Sequence, residues 1–261
     1  VERYDWVELP AAARTAVEAR TGPVASAVPV PDGITCRMAA VLSASSGRLF
    51  VKGVPMSDAA GCAGQAWEVA VSACVRGVSP ALRWRVTSGG WDLLGFEYVD
   101  CRHADLSPGS ADVSKVAEVL LAREAAQASL ELGVPLLADR FAAVLTPQER
   151  ELLHGDALLH TDTNPHNLLV TGDRAFLVDW AMPARGPAWV DVAYTTVRLM
   201  EADTPPDEAL KWASQFPSWR AADPRAVEVF VAGTCRAWDE RVGTRAARPS
   251  NARFAVLLDG C

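Results

Sequence analysis

The sequence predicts an α+β fold in two parts, a β-rich first part of about 100 residues and a mostly helical second part. Three observations carry that prediction. Up to Asp100 the apolar residues come in short runs broken by turn residues. Beyond the polar linker CRHADLSPGS the pattern changes to an Ala-rich, amphipathic helical period. Between helical stretches of the second part lies HGDALLHTDTNPHNLLV, residues 154 to 170, in which polar and charged groups stand just ahead of an apolar run. The 261 residues, half of them apolar, suffice for one large domain or two small lobes with a proper core.

The elements follow in order. Residues 10–20, PAAARTAVEAR, predict a helix with Pro10 at its first turn and Gly22 just past its end. VASAVPVP and TCRMAAVLSA read as strands separated by Pro31-Asp32-Gly33, and RLFVKGV follows the turn Ser45-Ser46-Gly47. Residues 58–76 predict a helix capped by Asp58, with Ala63, Ala66, Trp67, Ala70 and Cys74 as its apolar face. ALRWRVTS and WDLLGFEYV are two further strands around Ser88-Gly89-Gly90. A long helix is expected from Ala111 to Leu132, ending at Gly133, and Thr146-Pro147-Gln148-Glu149 carries the cap signature of another. NLLVTGDRAFLVDW is a short hairpin, and the remainder is expected to be mostly helical.

Charge narrows the partners. A net charge of −7 and an isoelectric point near 5.2 argue against nucleic acid or an anionic membrane, both of which would repel the chain on average. The start, VERYDWVELP, lacks the apolar run of a signal peptide, and no stretch has the length of a membrane span. The six cysteines form no close CxxC pair, so zinc spacing is absent and reduced thiols in a cytoplasmic protein are expected.

The stretch 154–170 holds two His-x-Asp patterns, His154-Gly155-Asp156 and His160-Thr161-Asp162. Asp162 is followed five residues later by Asn167, which opens the strand NLLV; the partner strand ends at Asp179. A hairpin sets its outer ends side by side, so Asn167 and Asp179 are expected to be neighbours near Asp162. One amide and two carboxylates suit a hard divalent cation, with one carboxylate left to accept a proton. Five residues after Asp156 stands Thr161, a poorer magnesium ligand, so the first pattern reads as the approach to the loop. His154, His160 and His166 recur every six residues; a metal held by the three is the outside reading, because six-residue steps do not share one helix face.

His160-Thr161-Asp162-Thr163-Asn164-Pro165-His166-Asn167, then LLV, then Leu177-Val178-Asp179-Trp180, resembles the catalytic and metal-binding loops of the aminoglycoside phosphotransferase family. The resemblance implies a bilobal protein-kinase-like fold, with a β-rich N-lobe built around one main helix (residues 1–99, nucleotide-binding). A mostly helical C-lobe (residues 100–261) would carry the catalytic and substrate groups. Such a fold needs a strand Lys on the nucleotide phosphates and a helix Glu to hold it. Lys52 is the only Lys in the first 114 residues, and Glu68 the only acid between Ala59 and Arg76. By the same resemblance the backbone of Glu97, Tyr98 and Val99 would hold the nucleobase, and Asn167 and Asp179 would bind Mg²⁺. Asp162 would be the catalytic base, supported by His160 and Asp191. ATP or GTP would be the co-substrate, and the acceptor a hydroxyl of a small molecule, such as an aminoglycoside-like or other amine-bearing substrate.

The likeness spans about residues 24 to 200, with departures. The glycine-rich turn over the phosphates is reduced to Pro31-Asp32-Gly33-Ile34-Thr35, which offers few free N–H groups. Trp180-Ala181 replaces Phe-Gly after the metal Asp, Thr161 replaces the usual Gly after the loop His, and His166 stands where Gly is common. Glu201, Asp203, Asp207, Glu208, Asp239 and Glu240 could line a polyamine pocket, or be solvated helix surface. Trp189, Trp212, Trp219 and Trp238 could hold a quaternary amine, or be core. The rival to a kinase is a catalytically inactive nucleotide- or partner-binding relative. A protein kinase is a more distant rival, since only twelve positions separate Asp179 from Asp191.

Overall fold

The structure is a computed structural model that describes residues 3–31, 36–125 and 132–260. The chain divides into two compact units, Val1–Arg102 with Val178–Ala181, and His103–Leu177 with Met182–Cys261. The four-residue piece carrying Asp179 thus groups with the first unit although it follows the hairpin of the second.

In the first unit, α1 (Ala11–Thr21) is followed by strands β1 (Val24–Pro29), β2 (Met38–Ala44) and β3 (Gly47–Pro55). Helix α2 (Ala59–Val71) and strands β4 (Leu82–Ser88) and β5 (Trp91–Glu97) complete it. The five strands form one antiparallel sheet in the order β1-β2-β3-β5-β4. Alternation along the strands sends Met38, Leu42, Val51 and Leu93 to one face, where they pack with Ala13 and Val17 of α1 and with Trp6. Lys52, next to Val51, therefore points to the opposite face, the one that α2 covers. The side chain of Asp58 caps α2 by accepting the Gly61 N–H at 2.9 Å.

The buried face of α2 differs from the expected one. It carries Gln65, Glu68 and Val71, while Ala63 and Ala66 are exposed. The apolar count pointed to alanines, but two of the three residues α2 buries are polar and have partners in the sheet. Gln65 Nε2 donates to the Asp92 carbonyl at 3.0 Å, and Glu68 meets Lys52. The helix also ends at Val71, five residues short of expectation, in a run of turns.

The first helix of the second unit is α3 (Asp112–Ala125); the rest of the long helix expected there lies partly at 126–131, outside the described residues. α4 (Leu137–Arg140) and α5 (Pro147–Glu151) follow, and α5 has the predicted reciprocal cap between Thr146 and Glu149. Three short strands come next, β7 (Ala157–Leu159), β8 (Leu168–Val170) and β9 (Ala175–Leu177), after the two-residue β6 (Arg102–His103) that extends the β8–β9 hairpin. Sequence periodicity missed β10 (Ala184–Gly186), which pairs with β7 antiparallel, Ala184 opposite Leu159. Three-residue strands are too short to show a period.

Helices α6 (Val190–Glu201), α7 (Pro206–Ala213), α8 (Pro217–Arg220), α9 (Pro224–Val242) and α10 (Thr244–Val256) fill the remainder. Their core is aromatic: Trp189 lies edge-on to Phe230 at 5.3 Å and to Trp219 at 6.3 Å, and Tyr194 edge-on to Phe230 at 5.2 Å. Among the described residues no helix is long and apolar enough to cross a membrane. Cys36, Cys62, Cys74, Cys101 and Cys235 are free thiols.

Candidate active site

In the first unit, Lys52 is the centre of a buried charge cluster. Its Nζ lies 2.7 Å from Glu68 Oε1 and 2.7 Å from Asp179 Oδ1. Lys52 and Glu68 are almost fully buried, whereas about a quarter of the Asp179 side chain reaches solvent. Burial by itself would lower the Lys52 ammonium, but the two carboxylates outweigh it and hold the amine above its ordinary value. Burial, with the Asp179 charge added, pushes the Glu68 carboxyl up to about 7 against the pull of Lys52. Phe50, Leu82, Phe96 and Trp180 line an apolar recess beside this cluster. Asp179 itself has φ 66°, the left-handed region, at the point where the chain leaves the hairpin.

At the end of β5 the Glu97 N–H already donates to the Ala81 carbonyl at 2.9 Å. Of the three residues expected to meet a nucleobase, Glu97 thus has only its carbonyl to offer. Tyr98 and Val99 lie past the strand end, where the ladder no longer claims their backbone groups. Residues 32–35 of the reduced glycine turn lie outside the described residues.

In the second unit, β7 delivers the chain into His160-Thr161-Asp162. Asp191, fully buried in the first turn of α6, accepts the N–H groups of His160 and Thr161, each at 2.9 Å. Thr161 has φ 68°, a region that β-branched residues rarely enter and that costs about 1–3 kcal/mol. Besides Asp191, its side chain holds it there. The Thr161 hydroxyl donates to the Met182 carbonyl at 2.8 Å and accepts from Arg140 Nη1 at 2.6 Å. This explains how Thr stands where Gly is usual. His160 is buried, and its Nδ1 accepts the Asp162 N–H at 3.3 Å.

The Asp162 carboxylate is held from several sides. Oδ1 accepts from Asn164 Nδ2 at 2.8 Å, and Oδ2 from Asn167 Nδ2 at 3.1 Å. Asn167 Nδ2 also donates to the Asp162 carbonyl at 3.0 Å, which fixes the amide and turns its oxygen away from Asp162. Asn164 in addition accepts the His166 N–H at 2.8 Å and so caps the single turn Pro165–Asn167. That turn sets Asn167 immediately before β8, whose Leu168 faces Leu177 of β9 across the open end of the hairpin.

Asp162, Asn167, His160 and Asp191 are therefore brought together in the second unit, and Lys52, Glu68 and Asp179 in the first. Each unit by itself offers an oxygen donor of the kind that Mg²⁺ prefers, the Asn167 amide in the second and the Asp179 carboxylate in the first. Both contacts of the Asn167 nitrogen stay inside the loop, so its amide oxygen is not used by them.

The first pattern, His154-Gly155-Asp156, has a packing reason instead. A Cβ on Gly155 would lie 2.5 Å from the Gly186 carbonyl carbon and 2.6 Å from Pro187 N, so the glycine lets β7 and β10 approach. Sequence reasoning missed Arg123, whose Nε lies 3.5 Å from Asp191 Oδ2 while its Nη1 and Nη2 donate to the Leu158 and Ala188 carbonyls. Its only signal was an arginine on the apolar side of α3. Arg140 and Arg198 were missed as well; Arg198 Nη2 lies 3.9 Å from Asp162 Oδ1.

Of the tryptophans, Trp189 and Trp219 are core. Trp212 lies tilted against Phe216 at 4.8 Å, and Trp238 is exposed under Arg241. Glu201 is paired to Arg198 at 2.6 Å, and Asp203, Asp207, Glu208 and Glu240 are exposed.

Residues 101–230 match the profile of the Phosphotransferase enzyme family, APH. No curated protein matches by sequence. Among solved structures the chain is similar to choline kinase LicA from Streptococcus pneumoniae. The two are 12% identical, with a TM-score of 0.62 and coverage of 93% of this chain and 97% of that one; LicA is also known in complex with AMP. A thermostable mutant of aminoglycoside phosphotransferase APH(4)-Ia is 14% identical, with a TM-score of 0.60 and coverage of 94% and 98%. Macrolide 2'-phosphotransferase MphH from Brachybacterium faecium is 15% identical, with a TM-score of 0.52 and coverage of 94% and 97%. At such identities the likeness shows a shared fold, and the profile match adds the lineage: the chain belongs to the aminoglycoside phosphotransferase family of phosphotransferase enzymes and has the protein-kinase-like fold.

Proposed function

We propose that the chain is a small-molecule kinase that moves the γ-phosphate of ATP or GTP to a hydroxyl of its acceptor. The observation that carries this reading is the Lys52 ammonium held at 2.7 Å by both Glu68 and Asp179. A buried cation fixed by two carboxylates is expensive to keep unless its position serves a purpose, and α- and β-phosphates are its natural partners. In this reading residues 1–99 form the nucleotide-binding lobe, and residues 100–261 hold the catalytic loop and the acceptor. Tyr98 and Val99, with the Glu97 carbonyl, meet the nucleobase. The AMP complex of LicA supports an adenine nucleotide.

Mg²⁺, when bound, would neutralise charge on the phosphate oxygens, and Asn167 and Asp179 would hold it. Lys52 orients the phosphates, and Glu68 keeps Lys52 in place. The acceptor oxygen attacks the γ-phosphorus, the bond from that phosphorus to the bridging oxygen breaks, and the nucleoside diphosphate leaves. Asp162 orients the hydroxyl and takes its proton late, while Asp191 and His160 keep the loop in shape. The acceptor is a small hydroxylated molecule; similar structures named for choline, aminoglycosides and macrolides support that class.

The test is calorimetric binding of ATP and GTP with Mg²⁺ to the wild type, Asp179→Ala and Asp162→Ala. Magnesium-dependent binding lost in Asp179→Ala and kept in Asp162→Ala, which loses transfer alone, is the expected result. A folded wild type that binds neither nucleotide refutes the reading. Binding without any turnover favours the inactive, nucleotide-binding alternative.

A further inference from the structure

Helix α6 meets the loop along one stripe. Asp191 holds the His160 and Thr161 N–H groups, and the Thr195 and Thr163 hydroxyls lie 2.8 Å apart. Arg198 Nη2 lies 3.9 Å from Asp162 Oδ1. Positions 191, 195 and 198 are four and three residues apart, so one helix face supplies all three contacts. The first two fix the loop backbone and its buried side; the third reaches the carboxylate read as the base. Arg198 is itself aimed, because its Nη1 is 2.6 Å from Glu201 Oε2, one turn further along α6. About a third of each of these three side chains reaches solvent, so they stand where an acceptor can meet them. Among the described residues, Arg198 is the one cation paired with Asp162.

Without Arg198, Asp162 and Glu201 would present two uncompensated negative charges, a setting suited to a polyamine. With Arg198 between them the trio carries one net negative charge. We propose that Arg198 is a positioning residue: it steers Asp162 and compensates Glu201, so that the acceptor end favours a neutral or singly charged alcohol over a polycationic amino sugar. This rests on the kinase reading above.

The test uses water as the acceptor, so no acceptor need be known. Hydrolysis of Mg-ATP is measured for the wild type, Arg198→Gln and Arg198→Lys, and binding of tobramycin, a polycationic amino sugar, is measured by calorimetry. Arg198→Gln is expected to lose on the order of tenfold to a hundredfold in kcat with KM for ATP unchanged, because a misplaced base affects the chemical step. Arg198→Lys restores most of the loss, which a purely structural role would not predict. Arg198→Gln binds tobramycin several-fold more tightly than the wild type. Unchanged hydrolysis in Arg198→Gln, with an active wild type, overturns the positioning role alone. Tobramycin binding that is unchanged or weaker in Arg198→Gln overturns the charge compensation. A wild type that binds Mg-ATP and turns it over neither with water nor with any of a panel of hydroxylated acceptors overturns the kinase reading and this inference with it.

Discussion

Glu68→Gln isolates the energetics of the buried cluster. Glu68 is almost fully buried beside Lys52, and its carboxyl is pushed up to about 7 from an ordinary 4.5. The folded chain therefore holds a proton that the unfolded chain has released between those two values. A group raised in this way contributes stability that is fully present below pH 4.5 and is lost as pH rises towards 7. At about 1.4 kcal/mol per pH unit, the loss over that window is about 3 kcal/mol. Glutamine mimics the protonated form at nearly the same volume, so the variant lacks this slope. Urea unfolding, followed by tryptophan fluorescence at several pH values from 4.5 to 8, gives both stabilities; their difference cancels groups that titrate alike in the two proteins. The wild type should match the variant near pH 4.5, fall behind it by about 3 kcal/mol near pH 7, and stay parallel above. A flat difference, or a wild type that gains on the variant as pH rises, would mean that the Lys52 attraction outweighs burial. The direction assigned to Glu68 would then be wrong.

Three other outcomes follow from single contacts. Asp191→Ala leaves the His160 and Thr161 N–H groups and Arg123 without their carboxylate, and should cost about 3–5 kcal/mol by thermal or urea unfolding. Thr161→Ala keeps the left-handed backbone and loses both hydroxyl contacts, so it should be about 1–2 kcal/mol less stable than wild type; Thr161→Gly, free of the strain, should be the more stable of the two variants by the same assay. Gly155→Ala drives a methyl into the Gly186 backbone and should cost about 2 kcal/mol or more, while Gly172→Ala, with open space around it, should stay within about 0.5–1 kcal/mol of wild type.

What the sequence made legible was whatever is written in local order. The strands of the first unit alternate or carry turn residues at their ends, and all five were readable, as were the caps at Asp58 and Thr146. Lys52 and Glu68 were found because each is the single residue of its kind in its element, and the structure joins them across an interval that no period encodes. The face of α2 was misread for the same reason. Periodicity counts apolar residues, whereas this helix buries Gln65 and Glu68, whose partners Asp92 and Lys52 come from distant strands. Arg123, Arg140 and Arg198 were illegible because an arginine on a helix looks like solvated surface until the carbonyl or carboxylate it serves is seen.

The two His-x-Asp patterns divide along that line. They flank the three-residue strand β7, one at each end. At the far end, the buried carboxylate of Asp191 and the Arg140–Thr161 contact force a left-handed turn that aims Asp162 outward. At the near end, Gly155 serves only to let β7 lie against β10. The difference is set by residues thirty positions away, so the copies look alike in sequence and differ in chemistry. A loop histidine pattern becomes an active-site candidate when something buried holds its backbone, and Asp191 does so for the second pattern.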